Sequence, residues 1–234
     1  MSVPAAGSAT VAGAHGAEAP RLVTVAHGTR RPGGNETARR ITEAAGRRLG
    51  RPATTAYVEL SDPLLTDVVA ALDGPAVVVP LLLSTGFHVR EDLPAMCAGA
   101  DVVLGRPLGP DALLARAQVA RLQEAGAAPG SRVVLVAAGS RDPAAGEDLC
   151  AAVGLLAEHW DGEVVAATLS GLGERPEAVL RPGDAVSPYL LSPGLFSRDV
   201  EEAARAAGAS ACADVLGDHP LVVDLVVERT LQLR

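Results

Sequence analysis

Three residues stand where short apolar runs give way to polar sequence: His27 in LVTVAHGTRRPGG, Glu59 in AYVELSDP and His88 in LLLSTGFHVREDLP. Two neutral imidazoles and one carboxylate suit a divalent transition metal such as iron, cobalt, nickel or zinc. Three protein ligands leave coordination positions open, which fits an ion that must be handed on. The carboxylate has a second use as a proton acceptor. Arg30 and Arg31 follow the first histidine and Arg90 the second, and guanidinium groups grip carboxylates in bidentate fashion. The plain alternative is that each histidine only finishes a strand, that the arginines are solvated surface, and that Glu59 caps the next helix.

Those residues need a scaffold. Apolar runs at Leu22–Ala26, Thr54–Leu60, Ala76–Leu83 and Asp101–Leu104 read as strands. Between them, Thr37–Leu49 and Asp62–Leu72 have helical spacing, the second with Ser61 or Asp62 as N-cap and Pro63 at the first helical position. Strands that are nearly continuous in apolar residues and alternate with helices predict a parallel sheet covered on both faces. All strands of such a sheet end on one edge, where ligands sit. His27 at the end of the first strand, Glu59 at the end of the second and His88 at a helix start after the third are thus expected to converge.

The pattern then recurs. VVLVAAGSRDP (133–143) repeats LVTVAHGTRRP (22–32), SPYLLSPGLFSRD repeats VPLLLSTGFHVRED, and VLGDHPLVVDLV repeats PLGPDALLARA. Three matches in one order indicate an internal duplication. The expected fold is α/β: two tandem flavodoxin-like three-layer domains, each with a mainly parallel four-stranded sheet. Residues 1–20 form a tail, 21–128 a domain bearing the site, and 129–234 a degenerate repeat that walls the cleft, with the boundary in Gly126–Ser131. Gly28 aligns with Gly139, so that turn needs glycine for backbone reasons. His27 aligns with Ala138, Glu59 approximately with Ser170, and His88 with Phe196. The architecture therefore demands none of the three, and all three are lost together. The other histidines carry bland readings: His15 idle in the tail, His159 on the surface, and His219, aligned with Asp111, structural or solvated. Met96 and Cys97 read as core.

Composition narrows the function. The chain has 234 residues, 48% hydrophobic but only 2% aromatic, so its core is built from Ala, Val and Leu. A net charge of −8, with no basic stripe interleaved with aromatics, argues against nucleic acid as a partner. Cys97, Cys150 and Cys212 are scattered singly, as expected of reduced thiols in the cytoplasm and not of a disulfide framework or a Cys zinc site. No apolar run is long enough to cross a bilayer, and the first 20 residues lack the basic start and apolar centre of a signal peptide.

The segments VAHGTRRPGGNE, AYVELSDPLL and VVPLLLSTGFHVREDLP resemble the signature segments of the sirohydrochlorin chelatases, the small type II metal chelatases of tetrapyrrole synthesis. The resemblance runs from about Arg21 to Thr230, counting the weaker second repeat. It implies insertion of Fe2+ (to give sirohaem) or Co2+ (towards cobalamin) into sirohydrochlorin. His27 and His88 are then the metal-binding, catalytic histidines and Glu59 the acidic helper. Thr29 stands where the family most often has Ser and keeps the hydroxyl. Thr29, Arg30, Arg31, Ser84, Gly86 and Arg90 are the candidates for contact with a substrate rich in carboxylates. No organic cofactor is implied; the metal is a substrate. The duplicated half supplies the wall that short family members obtain by dimerising, so a monomer with an internal pseudo-dimer is expected, homo-oligomers remaining open. Metal uptake is expected to fall at acid pH, because protonated imidazoles release metal. Two rival readings are a non-catalytic carrier of metal or tetrapyrrole, and a histidine-phosphatase-like hydrolase suggested by AHGTR. The second lacks the preceding arginine, since Ala26 stands there. A dinucleotide fold is weaker still, with no G-x-G-x-x-G after a strand.

Overall fold

The computed structural model describes residues 19–31, 33–86 and 91–233. The first half runs β1 (Arg21–Ala26), α1 (Glu36–Leu49), β2 (Ala53–Tyr57), α2 (Leu65–Ala70), β3 (Ala76–Pro80), α3 (Leu93–Met96), β4 (Val102–Leu104) and α4 (Ala112–Glu124). The second half repeats it as β5 (Val133–Ala137), α5 (Pro143–Ala157), β6 (Val164–Thr168), α6 (Pro176–Val179), β7 (Ala185–Tyr189), α7 (Leu195–Ala207), β8 (Ala211–Cys212) and α8 (Pro220–Leu231). The two four-stranded sheets have the orders β2-β1-β3-β4 and β6-β5-β7-β8, and every strand pairing is parallel. This is the flavodoxin-like order. Its switch point lies between β1 and β3, so a crevice opens beyond the C-terminal end of β1.

Side-chain alternation along the strands sorts the core into three clusters. Leu22, Val77 and Val79 of the first sheet join Val133, Leu135 and Ala185 of the second in one shared central core. The opposite faces, with Val23, Val25 and Val78 in one half and Val134, Val136 and Val186 in the other, form separate outer clusters. The last helix of each half crosses over: α4 packs against β7 and α8 against β3. Buried Gln118 on α4 donates to the Ser187 hydroxyl on β7 at 2.9 Å. Buried Arg229 on α8 donates to the Pro107 and Leu108 carbonyls and pairs with Asp111 at 2.8 Å. The two sheets are thus distinct units with a joint interior.

Several local expectations need correction. The second and third strands are shorter than their apolar runs, β2 stopping at Tyr57 and β3 at Pro80. Leu60 has a left-handed φ of 63°, which takes it out of any strand. The second helix starts at Leu65, with Leu64 in the N-cap position and no side-chain cap. Leu64 instead bridges Tyr57, and the Pro63 carbonyl accepts from the Tyr57 N–H at 3.0 Å, so this segment lies beside β2 before the helix can begin. Neither Ser61 nor Asp62 caps it. Cys97 is buried in the first outer cluster with Met96 packed against it, as the core reading expects. The three cysteines are free thiols. His159 is exposed. His219 is the N-cap of α8, its Nδ1 accepting from the Leu221 N–H at 3.2 Å, just as Asp111 caps α4. Among the described residues no helix is long and apolar enough to cross a membrane.

Candidate functional site

His27 directly follows β1, and Glu59 lies two residues beyond β2 in a loop, past the strand end where the apolar run would place it. The two strands are neighbours, and pairing outlasts the regular sheet. The Val58 N–H donates to the Ala26 carbonyl at 2.9 Å and the Glu59 N–H to the His27 carbonyl at 3.1 Å. Gly28 makes this approach practicable. Its φ is 97°, and a Cβ there would lie 1.9 Å from the Glu59 carbonyl oxygen. Gly139 has the same role opposite the Ser170 carbonyl, also at 1.9 Å. The match of Glu59 with Ser170 is therefore geometrical, and the glycine belongs to the fold in both halves.

The result is a carboxylate beside an imidazole. His27 Nδ1 and Glu59 Oε1 are 3.5 Å apart, and both side chains are about half exposed. With metal–ligand bonds of roughly 2.1 Å and a tetrahedral angle, two donors on one ion sit ~3.4 Å apart, so this spacing fits joint coordination of one ion. Half exposure keeps the pair open to water and to an incoming ion. Among the described residues no third His, Cys, Asp or Glu joins them in a metal cluster. The expected third ligand, His88, and the candidate substrate contact Arg90 lie outside the described residues, as does a helix start at His88.

Next to the pair is a polar hollow of about 330 Å3 lined by Thr29, Arg30, Arg31, Asn35, Arg39 and Leu60 among others. Arg30 and Arg31 are exposed on its rim. Thr29 is half-buried; its hydroxyl accepts from the Arg31 N–H at 3.2 Å. Ser84 and Gly86 lie on the loop after β3, both half-buried. Sequence reasoning missed Asn35 and Arg39. The Asn35 amide donates to the Thr29 carbonyl at 3.1 Å and to the Ser61 hydroxyl, tying the His27 turn to the Glu59 loop. Its only sequence signal is its place in GGNE, just before α1.

The geometry can be set beside known proteins. The CbiX family model matches residues 21–125 and 132–233. The chain belongs to the CbiX family. The sirohydrochlorin ferrochelatase of Bacillus subtilis (strain 168) is 26% identical to this chain over 233 residues, covering 89% of each. The solved structure of SirB from Bacillus subtilis with Fe3+ matches this CbiX-family chain with a TM-score of 0.80 at 24% identity, over 92% of this chain and 96% of that one. SirB from Bacillus subtilis subspecies spizizenii in complex with cobalt gives a TM-score of 0.79 at 23% identity, over 92% and 95%. The fold of those structures is the fold of this chain. The double family match coincides with the duplication, and the membership agrees with the resemblance carried by the three signature segments.

Proposed function

We propose that this chain is a sirohydrochlorin chelatase that inserts a divalent metal, Fe2+ or Co2+, into the macrocycle. The observation that carries the reading is the His27–Glu59 pair, set 3.5 Å apart beyond the C-terminal ends of β1 and β2 and replaced by Ala138 and Ser170 in the second half of the same fold. Family membership supports it, as do relatives named as a sirohydrochlorin ferrochelatase and as SirB with Fe3+ or cobalt.

In this reading unprotonated His27 and His88 hold M2+ with Glu59 at its side. Water leaves the open coordination positions as pyrrole nitrogens replace it. Two pyrrole N–H protons leave as two metal–nitrogen bonds form, and the Glu59 carboxylate, exposed to solvent, accepts them and passes them to water. Arg30, Arg31 and Arg90 meet the substrate carboxylates, with Thr29, Ser84 and Gly86 lining the approach. Residues 129–234 form the opposite wall of the cleft. The protein works in the cytoplasm without an organic cofactor.

The test is a single-turnover absorbance assay with sirohydrochlorin and Fe2+ or Co2+ in parallel. Conversion to the metallated spectrum, lost in His27→Ala and His88→Ala, supports the reading, and the faster metal names the activity. Binding of both ligands without conversion points to a carrier. Metal-free turnover of a phosphate monoester points to a hydrolase.

A further inference from the structure

The duplication separates contacts that the architecture requires from those it does not. Arg121 on α4 donates to the Leu216 carbonyl, and Arg229, at the same position on α8, donates to the Leu108 carbonyl. That reciprocity marks a contact belonging to the exchanged helices themselves. Among the ties between the halves that run one way only, two end on the loop after β3. Asp148 on α5 accepts from the Thr85 N–H and from the Thr85 hydroxyl, each at 2.6 Å. Buried Tyr189, at the end of β7, donates its hydroxyl to the Leu83 carbonyl at 3.3 Å.

The reverse contacts are chemically barred. Thr85 aligns with Pro193, which has neither an N–H nor a hydroxyl to donate. Asp148 aligns with Thr37, which has no carboxylate, and Tyr189 with Leu81, which has no hydroxyl. Gly109, matched by Gly217 in the rear half, leaves room for this contact: a Cβ there would lie 2.3 Å from the Leu83 carbonyl and 2.4 Å from the Tyr189 hydroxyl. Burial first, then the Asp148 and Asp111 carboxylates, push the Tyr189 phenol above its ordinary range and keep it a hydrogen-bond donor. The rear half carries no counterpart of His27 or Glu59 but presents groups that grip the front half's loop.

We propose that Asp148 is a positioning residue for metal insertion: from the rear half it fixes the 83–86 segment, which carries Ser84 and Gly86 and leads in sequence to His88. The inference rests on the chelatase reading and assigns the degenerate repeat a task beyond forming a wall. A carboxylate accepting two short hydrogen bonds from one residue holds that residue's backbone and side chain together, and a displacement of about 1 Å in a segment that positions reacting groups can cost roughly 100-fold in rate.

The experiment measures Co2+ affinity by titration of the full chain, together with kcat/KM for sirohydrochlorin. The variants are Asp148→Ala, Asp148→Asn, Thr85→Ala, Tyr189→Phe and the double variant Asp148→Ala/Thr85→Ala. Asp148→Ala is expected to lower Co2+ affinity and kcat/KM together, by on the order of 10-fold. Asp148→Asn, whose amide oxygen still accepts both bonds, restores most of the loss, and the double variant falls no further than Asp148→Ala. Tyr189→Phe gives a smaller drop in the same direction and serves if Asp148→Ala fails to fold. Asp148→Ala with wild-type affinity and turnover, or Tyr189→Phe and Thr85→Ala both at wild-type values, overturns the inference while leaving the chelatase reading intact. A wild-type chain that takes up neither Co2+ nor Fe2+ overturns both.

Discussion

Adding one methyl group at Gly28 tests how the site is built, and the duplication provides its control. A Cβ at residue 28 would lie 1.9 Å from the Glu59 carbonyl oxygen, whereas real Cβ contacts essentially never fall under 3.0 Å. The His27 turn and the Glu59 loop must therefore part by about 1 Å, and the alanine must adopt a φ of 97°. Strain and lost pairing together are expected to cost about 3 kcal/mol, on the order of 10 °C in Tm for a chain of this size. Gly139→Ala meets the same obstacle at the Ser170 carbonyl, at 1.9 Å and with a φ of 85°, so its loss of Tm is similar. Function separates the two. In Gly28→Ala the 3.5 Å pair is spread, and a displacement of about 1 Å at reacting groups can cost roughly 100-fold in rate. In Gly139→Ala the parted loops carry no candidate ligand. The assay is thermal unfolding followed by metal insertion at a temperature where both variants are folded. Equal losses of insertion, or an unaffected Gly28→Ala, would refute the view that this strand-end approach sets the His27–Glu59 spacing on which insertion depends.

Other outcomes follow from the same structure. Arg229→Met removes the cation between Asp111 and the Leu108 carbonyl, a pair whose arginine side chain is 3% exposed; unfolding in denaturant should show a loss of about 3 kcal/mol. Burial, then the Arg121 cation, lowers the His219 pKa from its usual 6.5, and its Nδ1 accepts a hydrogen bond that only the neutral ring can take. The cap is therefore fully stabilising above about pH 6.5 and is lost as pH falls through the lowered value. Melting curves should show wild type losing more Tm on acidification than His219→Asn, whose acceptor does not titrate; parallel curves would count against this cap. Ala138→His should add no second metal equivalent in a Co2+ titration, because Ser170 stands where a carboxylate is needed.

The adjacency of His27 and Glu59 was legible because each closes an apolar run and the two runs are neighbouring parallel strands. The duplication was legible for a similar reason: Gly28 and Gly139 answer one backbone demand, and such demands leave residues behind. The crossing of α4 and α8 was not. Apolar spacing says which face of a helix is buried, not which sheet it meets, and the residues that record the exchange, Gln118, Arg121 and Arg229, look like ordinary helical polar positions. The 58–64 loop was misread because Pro63 after Ser61 and Asp62 is also the pattern of a helix start, while the left-handed Leu60 carries no signal of residue type. Asp148 was invisible for want of a partner in sequence: its meaning lies in Thr85, on the other half of the molecule.

Anomalous diffraction at the cobalt edge, from crystals of the chain exposed to Co2+, bears most directly on the claim that His27, Glu59 and His88 share one ion. A single strong peak is expected at about 2.1 Å from an imidazole nitrogen of His27 and of His88, with the Glu59 carboxylate bound to it or facing it. A peak elsewhere, or none at His27 while the protein still metallates sirohydrochlorin, would contradict that claim.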